Sequence, residues 1–118
     1  MSKNNNNTVS NVIVVTVDFP QIHQWSSFQF APLVQEIQHV QKIIIEKRSP
    51  SRFLLENVII FKDKVAFIFD ATAKDVIAYM AQLDYTDPSE YECKSVSDDS
   101  IDKHLDRFGN IFHTHCFA

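Results

Sequence analysis

The sequence predicts a single α+β domain, and three observations lead there. Short β-branched or aromatic runs alternate with two segments of helical period, 45% of the 118 residues are hydrophobic with 12% aromatic, and the chain has one glycine. A chain of this length and apolar content can bury a core of its own. The glycine count also excludes function classes. Gly-rich phosphate loops, dinucleotide fingerprints, the Gly-Xaa-Ser-Xaa-Gly nucleophile elbow and ordinary EF-hands all need glycine where backbone turns sharply or meets a ligand. The common ATP- and NAD-dependent enzymes are thereby set aside, and no cofactor is expected.

Residues 1–10 include four consecutive asparagines and too little apolar surface to offset the entropy of ordering, so a disordered polar leader is expected, with the domain over 11–118. Val12 to Val17 is β-branched throughout and apolar on both faces, as in a strand at the centre of a sheet. Asp18-Phe19-Pro20 ends it. Gln21 to Ala31 holds Trp25, Phe28 and Phe30 without a period, which leaves a loop or a short extra strand open. From Pro32 the apolar positions Leu33, Ile37, Val40 and Ile44 recur at three- and four-residue spacings, predicting a helix to about Lys47, where Ser49-Pro50 stops it.

Leu54 to Phe61 and Val65 to Asp70 form a predicted hairpin around Lys62-Asp63-Lys64. Pairing Phe61 with Val65 puts Phe61, Phe67 and Phe69 on one aromatic face, with Val58, Ile60, Ala66 and Ile68 on an aliphatic one. Thr72, three residues before Asp75, caps a second helix with the stripe Val76, Ile77, Met80 and Leu83. Tyr91 to Val96 suits a polar edge strand. Ser97-Asp98-Asp99 opens a short helix carrying Ile101, Leu105 and Phe108, Gly109 falls where it should end left-handed, and Ile111 to Phe117 alternates as a last strand.

The order is the ferredoxin-like β-α-β-β-α-β plan, an antiparallel sheet with both helices on one face, plus a C-terminal α-β extension. Such a sheet should be polar on its free face, yet these central strands are apolar on both. The second face therefore needs the C-terminal segment, a second copy of the chain or a ligand to cover it.

Eleven Lys and Arg stand against fifteen Asp and Glu, which argues against nucleic acid as the principal partner. The charges are also unevenly spread. Bases dominate Lys42 to Lys64, whereas eight acids between Asp84 and Arg107 face only Lys94, Lys103 and Arg107. No run approaches the roughly 18 apolar residues of a membrane span. Two cysteines without a secretory pattern fit a reducing cytoplasm.

The run Lys64-Val65-Ala66-Phe67-Ile68-Phe69, continuing into the helix from Ala73 to Leu83, resembles the third strand and second helix of RNA-recognition-motif domains. The resemblance implies Phe67 as an aromatic on which a base stacks and Ala66 as a small residue facing the helices. The family's glycine is missing, Val65 occupies the place of a second aromatic, and the first strand has none.

In the C-terminal run His113-Thr114-His115-Cys116, the two imidazoles project from one strand face, as two ligands of a metal do. No Cys-Xaa-Xaa-Cys or His-Glu-Xaa-Xaa-His spacing supplies the rest. Asp18 and Asp70 each follow an apolar strand, but the topology sends them to opposite ends of the sheet. The expectation is a non-enzymatic binding or regulatory module that acts through protein–protein contacts. It self-associates through the apolar face of Phe61, Phe67 and Phe69. An RNA-binding domain, or a small metal-dependent enzyme using His113 and His115, is the alternative.

Overall fold

The structure is a computed structural model that describes residues 11–25, 29–48 and 53–117, so the expected leader lies outside the described residues. Five strands, β1 (Asn11–Asp18), β2 (Phe53–Phe61), β3 (Lys64–Ala71), β4 (Glu92–Ser97) and β5 (Ile111–Cys116), form one antiparallel sheet in the order β4-β1-β3-β2-β5. Three helices, α1 (Phe30–Arg48), α2 (Ala73–Gln82) and α3 (Ile101–Asp106), complete an α+β architecture. The β-branched β1 is interior, between β3 and β4. The stretch after it is a 3₁₀ turn, Pro20–Gln24, that leads toward α1, with Ile22 fully buried and Trp25 packed between Phe19 and Phe30 at ring distances of 5.1 and 5.9 Å.

The β2–β3 hairpin is tighter than the spacing suggests. Only Lys62-Asp63 separates the strands, and Ile60 rather than Phe61 pairs with Val65. Lys64 belongs to β3 because Asp18 stands opposite it on β1 and its Nζ donates to that carboxylate. A shift of one residue sends every side chain of β2 to the other face. The register shifts again between Leu55 and Asn57, a bulge at Glu56, so Leu55 and Val58 both face the same way.

Two cores result, one on each side of the sheet. On the first, Val15, Val17, Val58, Ile60, Phe67 and Phe69 meet Ile37, Val40 and Ile44 of α1 and Val76, Tyr79 and Met80 of α2. Tyr79 spans the layer. Its ring lies 5.2 Å from that of Phe69, and its hydroxyl donates to the Ile37 carbonyl of α1 at 2.8 Å. Burial, with the charge of Glu36 adding to it, holds this phenol far above its ordinary pKa.

On the second side, Val12, Val14, Ile59, Phe61, Ala66, Ile68 and Val96 are closed by Leu105 of α3, with Ile101 and Phe108 packed beside it. The C-terminal helix therefore covers the second face in cis, while the C-terminal strand extends the sheet beyond β2. Thr72 caps α2 as expected, accepting from the Asp75 N–H at 3.2 Å and donating to Asp75 Oδ2 at 2.9 Å.

Candidate functional site

Phe61, Phe67 and Phe69, the expected binding surface, do not share a face. Their exposures are 0%, 3% and 0%. Phe67 and Phe69 stack at 6.2 Å beneath α1 and α2, whereas Phe61 lies on the opposite side with its ring 5.6 Å from that of Phe108. The tight hairpin turn is the physical reason, since it moves Phe61 across the sheet from β3's aromatics. The orientation that the RNA-recognition-motif resemblance implies is reversed as well. Phe67 packs toward the helix layer, and Ala66 belongs to the opposite core.

Exposed apolar surface is found instead at one edge of the sheet. Both β4 and β5 are edge strands, each paired on one side only among the described residues. An edge offers unpaired backbone groups to another strand, and charged side chains are the usual protection against that. On β4, Glu92 and Lys94 are both exposed. From Ile111 to Phe117 there is no charged carboxylate, lysine or arginine, and Ile111 and Phe112 are 53% and 50% exposed.

The β5 edge continues into a groove. Where α3 stops short of β5, a hollow of about 330 Å³ opens over Ile59 and Ile68, with Leu105 on one side and Ile111 and Thr114 on the other. Glu56, Asp102 and Asp106 stand along it. Burial pushes the Glu56 carboxyl above its ordinary pKa, and the negative charges of Asp70 and Asp98 add to this. The groove is thus apolar at its base and acidic along part of its rim.

His113 and His115 pair with Ile60 and Val58, which places both imidazoles on one face, as the alternation implies, and that face is the one covered by α1 and α2. Each is half-buried against an aromatic ring. His113 stacks on Phe30 at 5.3 Å, and His115 lies 4.5 Å from Phe117. Among the described residues no group of three or more His, Cys, Asp or Glu side chains is arranged to hold a metal ion. Asp18 is engaged with Lys64 at one end of the β1–β3 pair, while Asp70 lies at the other end. Cys93 and Cys116 are free thiols on the two opposite edge strands.

The β5 edge is apparent in the sequence only as an uncharged run after Gly109-Asn110. What makes it a site is its place outermost in the sheet, which alternation alone does not indicate. No described helix is long and apolar enough to cross a membrane. Compared with known protein families, with curated proteins and with solved structures, the chain has no significant match.

Proposed function

We propose that this chain is a non-enzymatic binding and regulatory module of the cytoplasm that self-associates, two copies joining through their β5 edges. The observation that carries this reading is the contrast between the two sheet edges, β4 guarded by Glu92 and Lys94 and β5 uncharged with Ile111 and Phe112 exposed. A second copy is the favoured occupant because antiparallel pairing of β5 with itself is closed by a twofold axis, and β5 itself carries no acid, lysine or arginine to set against its own copy. The order β4-β1-β3-β2, with α1 and α2 on one side, supports a ferredoxin-like unit to which β5 is an addition.

Burying the exposed halves of Ile111 and Phe112 contributes about 1 kcal/mol per side chain, and the twofold counts each twice. Light scattering after size-exclusion chromatography, at roughly tens of micromolar, should give twice the 13.6 kDa chain mass. Phe112→Lys, which puts two lysines into the interface, should return the monomer with an unchanged circular dichroism spectrum. A wild-type chain that stays monomeric over this range overturns the proposal.

A further inference from the structure

The three bases that the sequence sets against eight acids between Asp84 and Arg107 come together in space. On α3 and the residues that flank it, Ser100, Lys103, His104 and Arg107 follow one another at helical spacing and line a depression on the β4 side, where Lys94 also stands. Its volume is about 420 Å³, and no acidic residue lines it. Asp102 and Asp106 line the groove on the β5 side of the same helix. The short helix thus separates the charges around it, with Lys103 and the neighbouring Arg107 and Lys94 toward one edge of the sheet and Asp102 and Asp106 toward the other.

The hydrogen-bonding groups in the wall are donors as well. Ser97 Oγ donates to Ser100 Oγ at 2.8 Å, which leaves the Ser100 proton available to a ligand. His104 is 7% exposed, and its Nδ1 lies 3.3 Å from Arg107 Nη1. A guanidinium can only donate, so Nδ1 is the acceptor and Nε2 carries the hydrogen of the neutral ring. That Nε2 is, among the described residues, the buried side-chain nitrogen or oxygen with no hydrogen-bond partner. His104 thereby holds the Arg107 guanidinium beside the depression.

We propose that this depression binds a single phosphomonoester group. Lys94, Lys103 and Arg107 supply the charge, Ser100 supplies a directional hydrogen bond, and His104 positions Arg107. Three cations around one small hollow suit a localised dianion. A long polyanion is disfavoured, because Glu92, Asp98, Asp99, Asp102 and Asp106 stand in the same strand and helix segment and repel a phosphate backbone that runs past the hollow. The proposal goes beyond self-association and does not use the β5 edge.

The test is calorimetric titration of the full chain with inorganic phosphate and with phenyl phosphate at low salt. One saturable site per chain is expected, with a dissociation constant at or below roughly 1 mM. Lys103→Ala and Lys94→Ala remove exposed side chains and should each weaken binding about tenfold, while Lys62→Ala, on the distant hairpin turn, should leave it unchanged. His104→Gln should weaken binding with less effect than Arg107→Ala. The proposal is overturned if neither probe binds at roughly 10 mM, if Lys103→Ala binds as wild type does, or if an oligouridine binds more tightly per phosphate than phenyl phosphate does.

Discussion

His104 shows how one buried side chain links stability to pH. Burial, then the positive charges of Arg107 and Lys94, hold its imidazole below the ordinary value of 6.5, with Glu92 opposing them. The unfolded chain therefore takes up this proton more readily than the folded one. The stabilising contribution is complete above the ordinary value and is lost as pH falls from there through the folded one. The urea midpoint should fall between about pH 7 and about pH 5, and His104→Gln should flatten that fall; an equal slope in the variant would show that other groups carry it. Single residues of other kinds are legible before folding. Gly109 has φ +95° with nothing within 4 Å of the position a Cβ would take, so the demand there is purely conformational. Among the described residues a second left-handed position, Asp84 at φ 70°, lies just after α2, and in a chain with a single glycine a short polar residue fills it. The bulge at Glu56 has no such signature, because it depends on which residues of β2 find partners on β3 and β5.

At the scale of elements, α3 is the one whose importance exceeds its length. Its six residues close the second core through Leu105, with Ile101 and Phe108 alongside, and the same helix separates the basic depression from the acidic groove. Leu105→Ala should cost about 2 kcal/mol or more in urea denaturation and should increase binding of a dye that reports apolar surface, since Ile68 and Phe61 lie beneath it. A loss under about 0.5 kcal/mol would mean that the second face does not depend on α3. Periodicity makes the existence and kind of α1, α2 and all five strands legible, with ends within two residues of the observed ones for the elements that had a clear period. The hairpin register escapes it because Lys64, polar and apparently part of the turn, is drawn into β3 by Asp18 of β1, a partner 46 positions away in sequence. The face shared by Phe61, Phe67 and Phe69 depends on that single residue of register and is lost with it.

For the whole molecule, apolar residues on both sides of the sheet are accommodated by two cores, and the surface left over lies at the edge. If β5 pairs between copies, the exposed Cys116 on it should become less accessible as protein concentration rises. Maleimide labelling should then slow at Cys116 across the dimerisation range. At Cys93, exposed on the far edge with its thiol pKa raised by burial, the labelling rate should not change with concentration. Equal, concentration-independent rates at both sites would contradict a β5 interface. By itself the sequence determined the α+β class, the order of elements, the polar character of the β4 edge and the need for a cover on the second face, because these follow from local period and from the amount of apolar surface. Only the tertiary structure decided that α3 supplies this cover, that β5 becomes an edge rather than a lid, and that Lys94, Lys103 and Arg107 meet. Each of these depends on the register and placement of segments far apart in the chain, which local preferences do not set.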